Sequence, residues 1–219
     1  MQLTKHVSEV EGHPQAELLE SLSDRIVQNL PIAEWQQLLE AARQTPIQVQ
    51  HVRATVVSLQ SPAWNSVSEL KADVALLSQS KGGHLDPCPA NGALVLLRDA
   101  DDAFALAMEL RELVPGVQIH VGMATGTCEV ATLRTSARKL RVVVGSVADE
   151  AIATCRMAPA GTMRMSPSTF ESLQHHASWL HSCMLQTEYE GEEIAAISVT
   201  PPPVKGGGQL STFAGLGLM

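Results

Sequence analysis

Between Gln48 and Thr200 strand-type and helix-type hydrophobic patterns alternate, and this alternation constrains the fold more than any other feature of the chain. His51 to Leu59 is rich in β-branched residues and reads as a strand, whereas Val67, Leu70, Val74 and Leu77 recur at helical intervals. Lys81-Gly82-Gly83-His84 is a turn, and Ala93 to Leu97 is a short continuous apolar run of the kind a buried strand shows. Asp99 to Leu113 predicts a helix that packs Phe104, Ala107, Met108 and Leu110 to Leu113 inward. Val117 to Met123 and Gly126 to Leu133 read as two strands, with Gly122 and Gly126 bracketing a turn. Val147 to Met157 reads as a helix, and strands near Gly161 to Met165 and Glu193 to Val199 close the pattern. An α+β or α/β domain spanning residues 48–200 follows, a size ordinary for one domain.

Two segments flank it. Residues 1–47 form an N-terminal helical extension: Leu19, Leu22, Ile26 and Leu30 make one apolar stripe, Pro31 interrupts it, and Ile32, Trp35, Leu38, Leu39 and Ala42 make a second. Each stripe needs a surface to cover it, on the domain or on a partner. Residues 201–219 form a Pro/Gly-rich tail, opening Pro201-Pro202-Pro203 and continuing Gly206-Gly207-Gly208, which either frays or docks into a neighbour.

Composition excludes several classes. Hydrophobic residues make up 45% of the 219 residues, enough for a core, so a disordered chain is excluded. Net charge is -8, which offers no global attraction for nucleic acid or anionic lipid, and aromatic residues at 3% provide no base-stacking platform. No apolar run approaches the roughly 20 residues of a membrane helix. Cys88, Cys128, Cys155 and Cys183 are widely spaced and read as reduced thiols, and the first residues carry no secretion signal. A cytoplasmic protein is expected, with a cytoskeletal or ciliary setting a further reading.

The order of short motifs resembles the class III nucleotidyl cyclase catalytic domain, the adenylate and guanylate cyclase family, over about Val52 to Leu173. The pieces are the strand Ala54-Thr55-Val56-Val57-Ser58-Leu59, Gly82-Gly83-His84, and Ala90-Asn91-Gly92-Ala93-Leu94. The helix Asp101 to Leu110, Ile119-His120-Val121-Gly122-Met123-Ala124-Thr125-Gly126, Gly145-Ser146-Val147-Ala148-Asp149 and Ser166-Pro167-Ser168-Thr169-Phe170 then follow in family order. The resemblance implies a ferredoxin-like α+β fold, with a central, mostly antiparallel sheet flanked by helices. It also implies a dimer with substrate held between subunits.

Carried over residue by residue, the resemblance implies a degenerate site. Family chemistry needs two divalent metals, and hard cations need carboxylate oxygens. The two metal-binding aspartates of the family fall on Ser58 and Asn91, which carry no charge. Its base-contacting lysine falls on Pro87, its ribose-orienting asparagine on Asp149 and its transition-state arginine on Ala153; Arg156 lies one turn further on. Both halves of the family's shared site are missing. No metal and no cofactor is expected, and the chain reads as a pseudo-enzyme: a structural or protein-interaction subunit, homo- or hetero-oligomeric, of a larger assembly. It would engage protein partners through the dimer surface and the N-terminal helices, not nucleic acid or membrane. A regulatory purine-nucleotide-binding domain without turnover and an active cyclase with a rearranged site are the alternatives.

Other clusters read blandly. Asp86, five positions before Asn91, would face the opposite side of a continuous strand. Asp99, Asp101 and Asp102 suit a helix start. His175, His176, His181 and Cys183 read as a solvated helix end, since their spacing fits no usual zinc pattern, and His84 with Cys88 is a weak pair. Arg134, Arg138, Lys139 and Arg141 read as a solvated basic loop or as a contact for an acidic surface.

Overall fold

The structure, a computed structural model, describes residues 48–66, 68–86, 92–114, 116–134, 139–159, 161–173, 180–191 and 193–202, together with Gln36 and Glu40, which are helical and exposed. The extension's two stripes, the tail beyond Pro202, and Pro87, Cys88, Asn91, Arg138, His175 and His176 lie outside the described residues.

The elements run β1 (Gln48–Gln60), α1 (Ser68–Ser80), β2 (His84–Asp86), β3 (Gly92–Leu97), α2 (Ala100–Leu113), β4 (His120–Arg134), β5 (Lys139–Val144), α3 (Ser146–Met157), β6 (Met163–Met165), α4 (Pro167–Ser172), β7 (Met184–Glu190) and β8 (Glu193–Thr200). The strands form one sheet in the order β2-β3-β1-β4-β6-β8-β7, with β5 paired to β4. Every pairing is antiparallel except β4 with β6. The architecture is α+β, a mostly antiparallel sheet flanked by helices.

Both faces of the central strands are covered, which explains the continuous apolar runs. Val57, Leu59, Val95, Leu97, Val121 and Met123 pack beneath α1 and α2 around the fully buried Phe104. On the other face Ala54, Val56, Leu94, Leu96, Ala124, Cys128 and Val130 pack against Val143 of β5 and Val147, Ala148 and Ala151 of α3. Pairing of β1 with β4 runs unbroken from Gln48↔Thr132 to Gln60↔His120. α4 starts as its sequence suggests: Ser166 caps the backbone N–H of Thr169, and Pro167 occupies the first turn, where a missing N–H costs nothing.

Three expectations are corrected. Gly122 and Gly126 lie inside a single 15-residue strand, so no turn separates two strands there. Gly122 is a close-packing position rather than a hinge: a Cβ on it would sit 2.2 Å from the Cys155 backbone nitrogen and 2.4 Å from the Ala151 carbonyl oxygen. The segment around Arg134, Lys139 and Arg141 is the paired end of a β4–β5 hairpin, with Arg134 opposite Lys139, rather than a solvated loop. Leu113, the last residue of α2, is 54% exposed rather than packed inward, because the helix runs past the edge of the core there. Residues 184–190 form a strand, β7, and the exposed His181 sits in the turn before it. The register also aligns Asp86, Leu94, Ser58 and Gly122 in one row across four strands, so Asp86 and Ser58 share a face; Asn91, with which the sequence compares Asp86, lies outside the described residues.

Candidate functional site

That row lies on the α3 face and contains the Ser58 position. Ser58 is buried at 0% exposure, and its hydroxyl has no conventional hydrogen-bond partner. Its neighbour is the Cys155 thiol, whose acidity it slightly raises. Cys155 donates its own hydrogen to the His120 carbonyl at 3.2 Å, so sulfur, a weak acceptor, is what it presents to Ser58. Burial dominates at this thiol and pushes its pKa up to about 11, against smaller opposing effects from Ser58, the Gly122 and Gln60 backbone and Arg156. The helix reaches the sheet this closely because Gly122, directly opposite Ser58, has no side chain. The His120 ring joins the same seam, with Nδ1 2.7 Å from the Ala158 carbonyl oxygen just past the end of α3.

Asp86 is the carboxylate on this face, and it is fully buried. It stands two strands from Ser58, about 10 Å at ordinary strand spacing. Its Oδ2 accepts the Val143 N–H at 2.8 Å, while the His84 ring meets the Arg141 carbonyl oxygen at 3.1 Å. Side chains of the short strand β2 thus satisfy backbone groups of β5, as a strand partner would. Asp86 is committed to the fold and does not converge with Ser58.

Asp149 and Ala153 are exposed on α3, on the side away from Ala148, Ala151 and Cys155, and Arg156 is exposed with them. The helix therefore stands between these positions and Ser58. Among the described residues no group of three or more His, Cys, Asp or Glu side chains is placed to hold a metal ion, and no helix is long and apolar enough to cross a membrane.

The α1/α2 face carries features that sequence reasoning missed. Thr55 Oγ1 lies 2.8 Å from Thr125 Oγ1, which lies 2.9 Å from Thr169 Oγ1; Thr169 Oγ1 is 3.0 Å from Ser166 Oγ, and Ser168 Oγ donates to the Thr125 carbonyl at 2.9 Å. This hydroxyl chain fastens α4 to the centre of the sheet. A lone threonine within the apolar run around Thr55 was the available signal. Beside it opens a cleft of about 920 Å³, lined by Arg53 and Arg98 but also by Asp99, Asp101, Asp102 and Glu171. Carboxylates outnumber guanidinium groups, so the field there disfavours a polyphosphate. A second cavity of about 330 Å³ lies under the end of α2, lined by Ala107, Val114, Val117, Ile119, Val121 and Met163. Those side chains are apolar and bring no acid, base or nucleophile. Arg111 at its rim bonds the Pro202 carbonyl at 2.9 Å and holds the chain as it leaves β8.

Solved structures of nucleotidyl cyclase domains share this sheet architecture. The catalytic core of a rhodopsin-guanylyl cyclase with converted specificity, in complex with ATPalphaS, matches with TM-score 0.56 at 15% identity, over 71% of this chain and 99% of that one. The adenylyl cyclase CyaB from P. aeruginosa matches with TM-score 0.55 at 15% identity, over 73% of this chain and 100% of that one. The guanylate cyclase domain of RhGC from Catenaria anguillulae, in complex with GTP, gives 0.56 at 14%, over 69% and 98%. No protein-family profile and no curated protein sequence matches the chain. The chain has the fold of the class III adenylyl and guanylyl cyclase catalytic domain.

Proposed function

We propose that this chain is a catalytically inactive nucleotidyl cyclase-like domain that serves as a structural or protein-interaction subunit. The observation that carries this reading is the closure over Ser58. A catalytic metal site needs anionic oxygens open to a bound nucleotide. At the corresponding strand position this chain has a neutral side chain at 0% exposure, with the α3 backbone touching the sheet beside it. Family correspondence adds that the transition-state arginine is replaced by Ala153, which cannot stabilise developing charge. A fold whose relatives work as dimers keeps its association surfaces when such residues are lost, because packing and chemistry reside in different side chains.

The test is a product assay by mass spectrometry on the purified full chain with ATP or GTP and Mg²⁺ or Mn²⁺, paired with isolation of whatever protein accompanies the native chain. The proposal expects cyclic nucleotide at the level of a protein-free control, and a stoichiometric protein partner. Product above that control overturns it. A nucleotide-dependent rise in melting temperature without product would instead favour a nucleotide-sensing domain.

A further inference from the structure

The two edges of the sheet are built differently. On one side β2 has only three residues, and His84 and Asp86 tie it to the β5 backbone. On the other side β7 has seven residues and no strand beyond it among the described residues. Long open edges are templates for another strand, and proteins ordinarily blunt them with lysine, proline or a bulge. None of these protects β7. Its sequence, Met184-Leu185-Gln186-Thr187-Glu188-Tyr189-Glu190, holds neither lysine nor proline. The irregularity in the β7–β8 hairpin falls on β8: Glu188 pairs with Ala196 and Tyr189 with Ile194, leaving Ala195 as the extra residue.

The edge is also apolar. Met184 is 74% exposed, Tyr189 65%, Leu185 46% and Ile194 44%, half of the eight large hydrophobic side chains exposed among the described residues. Such clustering on one hairpin marks an association surface. One of its two carboxylates is already neutralised: Glu188 accepts from Arg164 Nη2 at 2.5 Å and from Ser198 Oγ at 2.8 Å, and Arg164 is itself buried. An incoming strand therefore meets little charge until Glu190.

The sequence of this edge is complementary to itself. We propose that β7 is a homodimerisation edge, pairing antiparallel with β7 of a second copy about a two-fold axis at Thr187. In that register Thr187 faces Thr187, and each Leu185 faces a Tyr189. Leu185, Thr187 and Tyr189 alternate onto one face of the strand, so two aliphatic–aromatic pairs flank a threonine pair, a favourable cross-strand set. The contact is isologous and closes at two copies, joining two eight-stranded sheets into one. It involves neither Ser58 nor α3, so it holds whether or not the chain turns over nucleotide.

A cysteine at the axis tests the register. Directly opposed residues in an antiparallel pair have Cα atoms about 4.5–5.5 Å apart, within disulfide reach. Thr187→Cys in the full chain, mildly oxidised, is expected to give a covalent dimer whose linked peptide maps by mass spectrometry to position 187 in both copies. Leu185→Cys, opposite Tyr189, is expected to give at least about tenfold less. Sedimentation equilibrium then gives the strength: Leu185→Lys and Tyr189→Lys are each expected to weaken the dimer at least about tenfold, with unchanged circular dichroism, because both side chains are exposed. Wild-type chain monomeric at about 200 µM, a dimer indifferent to both lysines, or equal cross-linking at 185 and 187 would each overturn the proposal. Cross-linking of Thr187→Cys to a different protein instead would assign the edge to another partner and overturn it equally.

Discussion

Replacing Ser58 by alanine and by aspartate is expected to move stability in opposite directions. The hydroxyl is fully buried and faces only a thiol sulfur, so removing it relieves part of a desolvation cost of about 1–3 kcal/mol. Ser58→Ala is therefore expected to gain about 1 kcal/mol, or roughly 2–4 °C in melting temperature for a chain of this size. Ser58→Asp puts a carboxylate under α3 with no cation facing it, and the cost of an uncompensated buried charge is about 3–5 kcal/mol. Burial would raise that carboxyl's folded-state pKa above its unfolded value of about 4, so the penalty is full at neutral pH and shrinks as pH falls toward 4. Urea unfolding followed by circular dichroism at pH 7 and pH 5 measures both variants. An aspartate variant as stable as wild type, or one stabilised by Mn²⁺, would refute the reasoning, because ions and water would then be reaching the position.

Three further predictions follow from the same packing. Gly122→Ala is expected to destabilise by more than about 3 kcal/mol, since its Cβ would meet α3 backbone at 2.2 and 2.4 Å; thermal unfolding checks it. Asp86→Ala removes the carboxylate that accepts the buried Val143 N–H at 2.8 Å and is expected to cost about 1–3 kcal/mol, with Asp86→Asn costing less because an oxygen remains; chemical denaturation separates the two. Burial raises the thiols of Cys128 and Cys155 to about 11 from an ordinary 9.0, so both are expected to resist alkylation at pH 8 until denaturant is added. The stability this confers is whole below pH 9 and is lost as pH rises through 11, which a pH series of unfolding curves would show.

Much of the fold was legible because local pattern and tertiary role agree. Ala93 to Leu97 reads as a buried strand because helices cover both faces of the sheet, and Asp99 to Leu113 reads as a helix because its buried residues share one stripe. Strand β5 was hidden because Lys139 and Arg141 mask the apolar Val142, Val143 and Val144 beside them. Strand β4 was read as two because Gly122 and Gly126 signal turns locally, whereas here glycine admits a helix backbone. Strand β7 was missed because both of its faces are exposed, which erases the alternation that marks a half-buried strand.

The candidate site divides the same way. The correspondence of Ser58, Asp149 and Ala153 to family site positions rests on the order of motifs alone. The contact that covers Ser58 was not legible, because it joins β1 to a helix nearly a hundred positions later. Asp86 shares a face with Ser58 because β2 and β3 are the two strands of a hairpin that aligns Asp86 with Leu94 and Ser58, a register that residue spacing alone does not give.

Electron paramagnetic resonance of Mn²⁺ tests the central claim most directly, because the ion's free signal falls as protein captures it. With the full chain at about 100 µM and ATP or GTP present, the account predicts a free-Mn²⁺ signal identical to that of nucleotide alone. A protein-dependent loss of signal that is altered in Ser58→Ala would mean that the metal position is open and occupied, and would contradict it.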